Sequence, residues 1–114
     1  MVLTINVPRR LRRYLAKFRT YCTDLEIEIG RHNGLNREDR LCKLCGNRNS
    51  NFIEDEYHVL LECPSYAEVR SIYLGNIDIS LYAFCSIMKS TKSIELIRLA
   101  NFICIMFDIR KDKL

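Results

Sequence analysis

The distribution of apolar and polar positions predicts a chain that is mainly α-helical. Apolar side chains recur at spacings of three and four residues, which is the periodicity of a helix with one buried face. Pro8 precedes the first stripe and suits the start of a helix, where no backbone N–H donor is needed. We therefore predict an amphipathic helix over residues 8–23. Its apolar stripe contains Leu11, Tyr14, Leu15, Phe18 and Cys22.

Further apolar stripes predict helices through the second half of the chain. Pro64 ends one of these helices and can begin the next, and the last helix is predicted over residues 93–110. The stripes are Ile53, Tyr57, Leu60 and Leu61, then Tyr66, Val69, Ile72 and Tyr73, then Leu81, Phe84, Cys85 and Met88.

We predict that aromatic side chains on the stripes pack in the core rather than stack on nucleic-acid bases. They are Tyr14, Phe18, Tyr57, Tyr66 and Tyr73.

Residues 25–29 follow a different pattern. Leu25, Ile27 and Ile29 alternate with Glu26 and Glu28, and a period of two is typical of a strand. We predict a short extended segment near residues 25–29, with both glutamates on a solvent-exposed side. That exposure also argues against a catalytic carboxylate cluster.

Four residues in the middle of the chain have the spacing of a metal site. They follow the pattern Cys42-x2-Cys45-x12-His58-x4-Cys63. Zn²⁺ binds thiolate and imidazole ligands in a closed tetrahedron, and a C-x2-C pair can hold it from one tight turn. Gly46 follows directly, where the positive φ of such a turn is easily adopted. We predict one structural Zn²⁺; the alternative is a loose set of thiols beside an unrelated histidine.

The length of the chain makes an internal metal useful. A chain of 114 residues with 48% hydrophobic and 28% charged residues is expected to form one globular domain. Such a small domain buries a modest fraction of its surface, and zinc binding adds folding free energy on the order of 10 kcal/mol. We predict a single domain, residues 1–114, with a zinc-binding knuckle and helix over 41–64 and a helical C-terminal part over 64–110.

Cysteine usage favours metal binding over disulfides. The chain has six cysteines, and its first residues contain no apolar signal segment, so we expect a reducing intracellular setting, nuclear or cytoplasmic. No apolar run approaches the roughly 18 residues that span a membrane. We predict that Cys22, Cys85 and Cys104 are small buried hydrophobic residues and that His32 is a surface residue.

The sequence argues against a catalytic zinc ion and against a ββα zinc finger. Four protein ligands leave no open coordination position, so we predict that the protein is not an enzyme. A ββα zinc finger also fits the x12 spacing. However, Asn49 and Asp55 stand where its small apolar core needs an aromatic residue and a leucine.

The basic charge is concentrated toward the ends of the chain. Residues 1–40 contain nine Lys and Arg against five Asp and Glu, whereas residues 41–75 contain three against five. The first helix has no acid before Asp24, and its outer face is strongly cationic. This face can contact RNA or DNA phosphates, or it can simply be solvated. The candidate nucleic-acid-binding residues are Arg9, Arg10, Arg12, Arg13, Lys17 and Arg19.

Three segments of the chain are EIGR at 28–31, REDRLCKLC at 37–45 and EDEYHVLLECPSY at 54–66. In these segments the chain resembles the C-terminal zinc-binding region of reverse transcriptases from non-LTR (LINE-type) retrotransposons. The resemblance extends from LAKFR at 15–19 to the basic tail RKDK at 110–113. It implies that Cys42, Cys45, His58 and Cys63 bind zinc and that the region helps to hold RNA or target DNA. The chain has no paired-aspartate motif for a polymerase, so that activity is not expected here.

Together these observations predict a small zinc-binding helical domain that binds nucleic acid without polymerase activity. The alternative is a structural or protein-interaction domain that docks on a partner protein, with zinc purely structural. The oligomeric state is not indicated.

Overall fold

The computed structural model describes residues 8–45, 52–75 and 79–114, and this part of the chain contains helices and no strand. The prediction of a mainly α-helical fold is therefore confirmed. The α-helices are α1 (Arg9–Arg19), α2 (Glu26–His32), α3 (Ala67–Tyr73), α4 (Leu81–Lys89) and α5 (Ser93–Lys113). Arg37–Asp39 and Pro64–Tyr66 form 3₁₀ turns, and His58–Glu62 forms a π-helical turn, called here the π-turn.

Helix α5 is the central element, and it packs against α1 and α3. Its apolar residues point in several directions around the helix axis, as expected for a helix with neighbours on more than one side. Its buried residues join those of α1, the π-turn and α4 in one hydrophobic cluster. The buried apolar residues of α5 are Leu96, Leu99, Ala100, Phe102, Ile103, Cys104 and Met106. None of the helices in the described residues is long and apolar enough to cross a membrane.

Helix α1 forms where the sequence predicts it but ends earlier. Leu15 and Phe18 are buried against the core, as the apolar stripe indicates. Tyr21 has a φ of 60°, a left-handed conformation that stops the helix, and the Cys22 N–H closes the end by donating to the Lys17 carbonyl at 2.9 Å. The prediction that Cys22 is buried is wrong, because the left-handed turn takes this residue off the stripe and leaves it exposed.

The other predicted core and surface residues fall largely as expected. Cys104 is buried and Cys85 is half-buried, and His32 is exposed. Among the aromatic residues, Phe18 and Tyr66 are completely buried. The remaining three are half-buried against the core: Tyr14, Tyr57 and Tyr73.

The predicted extended segment near residues 25–29 is wrong, because Glu26–His32 forms α2. The start of α2 is held by Glu54, which lies 28 residues further along the chain. The Glu54 carboxylate accepts a hydrogen bond from the Glu26 N–H at 2.8 Å, and the Glu54 carbonyl accepts one from the Ile27 N–H at 3.0 Å. These bonds satisfy amides that a helix leaves unpaired at its N-terminus. An alternating pattern of a few residues cannot reveal such a distant partner.

Glu26 and Arg110 are buried, and the prediction that Glu26 lies on a solvent-exposed side is therefore wrong. Arg110 donates two hydrogen bonds to Glu54, at 2.9 and 2.8 Å, and lies 3.5 Å from Glu26. Only 8% of Arg110 and 7% of Glu26 is exposed, so these charges are partnered inside the protein rather than solvated. This ion cluster joins the end of α5 to the start of α2 and to the segment that carries the predicted metal ligands.

Glu56 is a buried carboxylate whose replacement should stabilise the protein. It accepts a hydrogen bond from the Thr23 hydroxyl at 3.3 Å, and burial raises its pKa. A raised carboxyl pKa lowers stability as the pH rises from the unfolded pKa through the folded one, because the charged form is disfavoured in the fold. Glu56→Gln should therefore raise the free energy of unfolding at neutral pH, measured by urea unfolding. The gain should shrink toward pH 4, and an equal gain at both pH values would contradict this explanation.

Candidate metal centre

Cys42 is positioned by a short antiparallel pairing of two chain segments. Leu41 and Ile53 form an isolated bridge, and the Cys42 N–H donates to the Phe52 carbonyl at 2.9 Å. The Glu54 N–H donates to the Arg40 carbonyl at 3.0 Å and extends the pairing. The turn between the two segments, including the predicted role of Gly46, lies outside the described residues.

Arg40 attaches this pairing to α2. Its guanidinium donates to the Leu35 carbonyl at 2.8 Å and to the Ile27 carbonyl at 3.2 Å. Its aliphatic part lies against Gly30, where a Cβ would collide with the Arg40 side chain. The absence of a side chain at Gly30 therefore lets the Arg40 side chain pack directly against α2. This contact brings the segment that carries Cys42 close to α2.

The π-turn brings His58 and Cys63 to the same side of the chain. In an α-helix, residues five positions apart point about 140° away from each other. Here the Cys63 N–H donates to the His58 carbonyl at 2.8 Å, an i→i+5 bond that places the sixth residue above the first. The Asp55 carboxylate accepts from the His58 N–H at 2.8 Å and begins this segment. The H-x4-C spacing therefore forms a ligand pair only because the helix is widened here.

Arg70 of α3 supports the end of the π-turn. Its guanidinium donates to three backbone carbonyls, those of Leu60 at 2.7 Å, Val59 at 3.1 Å and Cys63 at 2.9 Å. Carbonyls near a helix end have no partner within the helix, and a widened turn displaces them further from the regular pattern. Arg70 therefore satisfies these acceptors and holds the backbone of the candidate ligand Cys63 in place.

The structure brings together the four residues that the sequence predicts as ligands. The ligand atoms of Cys42, Cys45, His58 and Cys63 all lie within 4.8 Å of one another. The two Sγ atoms of Cys42 and Cys63 are 3.9 Å apart, and the Cys45 Sγ is 3.2 Å from the His58 Nε2. Three of the four residues are buried, and Cys45 is half-buried. Three sulfurs and one imidazole nitrogen at these separations could bind a metal ion.

The electrostatics of the thiols also suit a cation. The contact between Cys42 and Cys63, together with burial, raises the pKa of the Cys42 thiol to about 12. The same contact lowers the pKa of Cys63, helped by a hydrogen bond from the Ser65 backbone N–H. Two neighbouring thiols thus resist ionising together, because two thiolates would repel at this distance. A bound cation removes that repulsion and allows both sulfurs to act as ligands.

Two neighbours hold the His58 ring. The Glu62 Oε1 lies 3.3 Å from its Nδ1, and the Phe52 ring stacks on it with centroids 5.0 Å apart. Burial lowers the pKa of His58, but its contacts with Cys42 and Glu62 outweigh that effect and raise it overall. The i,i+4 spacing of His58 and Glu62 was visible in the sequence, whereas the stacking of Phe52 was not.

The predicted basic residues of α1 do not form one uniform surface. Arg10 turns toward α5, where it donates to the Cys104 thiol at 2.8 Å, lies 3.5 Å from Asp108 and covers the Tyr14 ring. Arg19 is half-buried. The remaining four side chains are exposed, and no ion pair within the described residues involves them. They are Arg9, Arg12, Arg13 and Lys17, called here the cationic face.

Comparison with known proteins finds no matching family model and no significant match among curated proteins or solved structures.

Proposed function

We propose that the Cys42, Cys45, His58 and Cys63 group binds one structural Zn²⁺. A tetrahedral Zn²⁺ with bonds of about 2.3 Å to sulfur and about 2.0 Å to nitrogen places its ligands roughly 3.5–3.8 Å apart. In the structure, the 3.9 Å between two sulfurs and the 3.2 Å between sulfur and nitrogen are close to these separations. Four protein ligands complete the coordination, which supports a structural rather than a catalytic ion. Stoichiometric zinc in the purified protein, measured by elemental analysis, tests this assignment.

We propose further that this domain binds RNA or DNA through the cationic face of α1. The observation that carries the proposal is that Arg9, Arg12, Arg13 and Lys17 are exposed on a helix that contains no acidic residue. Exposed guanidinium and ammonium groups in one row can contact successive phosphates and release their counterions. Because the opposite side of α1 packs on α5, these side chains are presented on a rigid support.

The resemblance to the zinc-binding region of LINE-type reverse transcriptases supports the same proposal. That resemblance implies contact with RNA or target DNA and the same four metal ligands. The chain is proposed to provide binding alone, with no polymerase chemistry of its own.

Replacing Arg9, Arg12 and Arg13 together by Ala should weaken nucleic-acid binding about tenfold or more near 0.1 M salt. It should also reduce the slope of log affinity against log salt by roughly 2–3, because up to three phosphate contacts are lost. Alanine keeps the helix propensity of α1, so folding should be unchanged. Fluorescence anisotropy with single- and double-stranded RNA and DNA at two salt concentrations measures both quantities.

The matched control removes three exposed cations elsewhere, in the variant with Lys89, Lys92 and Arg98 replaced by Ala. Both triple variants change the net charge equally. Equal weakening by the two would show that only net charge matters, and the cationic face would not be the binding surface.

A second candidate function, docking on a partner protein, is favoured by exposed apolar residues of the C-terminal half. Ile72, Leu81 and Tyr82 are 67%, 69% and 84% exposed, and exposed apolar side chains are used in protein–protein contacts when they lie together. If the wild-type protein binds none of the four nucleic acids at low salt, this candidate becomes the better explanation.

A further inference from the structure

The two nitrogens of the His58 ring have different partners. Nε2 faces the sulfur of Cys45 at 3.2 Å and belongs to the proposed metal centre. Nδ1 faces the carboxylate of Glu62 at 3.3 Å. A neutral imidazole carries its proton on one nitrogen and its free electron pair on the other. A carboxylate beside Nδ1 therefore favours the tautomer that offers the Nε2 electron pair to a metal.

The surroundings of Glu62 restrict where its carboxylate can go. Its side chain is only 27% exposed, and it directly precedes the ligand Cys63. The backbone at this point is held by the three hydrogen bonds from Arg70 to Val59, Leu60 and Cys63. The carboxylate is thus attached to the same rigid turn as two of the ligands.

The ring itself is also restricted. His58 is 1% exposed, and Phe52 stacks on one side of its ring with an interplanar angle of 20°. The ring turns about its Cβ–Cγ bond, and stacking on Phe52 opposes that rotation because it would tip the ring out of the stacked arrangement. The contact with Glu62 opposes the same rotation, because turning the ring moves Nδ1 away from the carboxylate.

We propose that Glu62 is a positioning residue that sets the metal affinity of this centre by orienting His58. This inference rests on the proposed zinc site and adds a residue outside its four ligands. A carboxylate that accepts from the second nitrogen of a ligating imidazole typically contributes tenfold to a hundredfold in metal affinity. Glu62 makes the imidazole a better donor and reduces the loss of freedom on metal binding.

The test compares Glu62→Ala and Glu62→Gln with the wild-type protein. Zn²⁺ affinity is measured by competition with a chromophoric chelator. Glu62→Ala should bind Zn²⁺ about 10–100-fold more weakly. Glu62→Gln should fall between the two, because its amide oxygen still accepts a hydrogen bond without the negative charge. The matched control is Glu68→Ala, which removes an exposed glutamate from α3 and should leave the affinity unchanged.

A spectroscopic measurement separates positioning from a general loss of stability. In the ¹⁵N imidazole spectrum of the zinc-loaded protein, the Nδ1 proton of His58 should exchange slowly with water. In Glu62→Ala it should exchange faster, while in Glu68→Ala it should not change. The visible spectrum of the Co²⁺-loaded protein should keep its tetrahedral bands in all variants, because the four ligands are unchanged.

The outcomes distinguish this inference from the zinc site itself. If the wild-type protein binds neither Zn²⁺ nor Co²⁺, the metal centre and the role of Glu62 are both wrong. If the wild-type protein binds Zn²⁺ and Glu62→Ala binds it equally tightly, the zinc site stands and the positioning role is wrong.

Discussion

Cys63→Ala should leave the protein unfolded under conditions in which the wild-type protein is helical. Structural zinc contributes on the order of 10 kcal/mol in small domains, and the net stability of a domain is only about 5–15 kcal/mol. The variant loses one of the four candidate ligands and removes the sulfur that lies 3.9 Å from the buried Cys42 thiol. It also frees the end of the π-turn, whose geometry the metal would otherwise hold. His58→Ala should have the same effect, and far-UV circular dichroism measures it.

A strong chelator should produce the same unfolding in the wild-type protein, and excess Zn²⁺ should reverse it. Cys22→Ala is the matched control, because Cys22 is an exposed thiol outside the four-residue group. This control should fold and bind one zinc ion per chain. A wild-type spectrum that ignores the chelator, with no stoichiometric metal, would show that the Cys and His residues are not a metal centre.

Arg110→Met should lower the free energy of unfolding by about 3–5 kcal/mol. Methionine fills much of the space of the arginine side chain but leaves the carboxylates of Glu54 and Glu26 buried beside each other. The loss of two hydrogen bonds to Glu54 also loosens the group that caps α2. Urea unfolding at constant free Zn²⁺ measures the change without a contribution from altered metal loading.

Lys111→Met provides the comparison for this prediction. Lys111 is the next residue of α5 and is exposed, so its replacement should change the unfolding free energy by no more than about 0.5 kcal/mol. Adding Glu54→Gln to Arg110→Met should restore part of the loss, because one buried charge is removed. If Arg110→Met and Lys111→Met had equal effects, the ion cluster would not stabilise the fold.

The two predictions above concern residues that the sequence indicates to very different degrees. The spacing of Cys42, Cys45, His58 and Cys63 is a local pattern, since each pair lies within one turn or a few residues. The Arg110 cluster joins positions 26, 54 and 110, which no local pattern connects. Of its members, Glu26 was predicted to be solvent-exposed, because charged residues usually are.

The helix at residues 26–32 likewise depends on a contact that no local pattern reveals. Alternation of Leu25, Ile27 and Ile29 with two glutamates indicates a strand when the segment is considered alone. The observed helix depends on Glu54, which satisfies the first amides and is itself neutralised by Arg110. Tertiary contacts override weak local preferences most easily in short segments.

The sequence by itself determined the helical class, the amphipathic character of α1 and the identity of the four candidate ligands. These features follow from periodicity and spacing, which are properties of neighbouring residues. Only the tertiary structure decided that Arg10 turns toward α5, that Glu62 and Phe52 hold His58, and that residues 26–32 are helical. Each of these depends on a contact between elements or on a widened turn, and the free energy of such contacts exists only after the chain has packed.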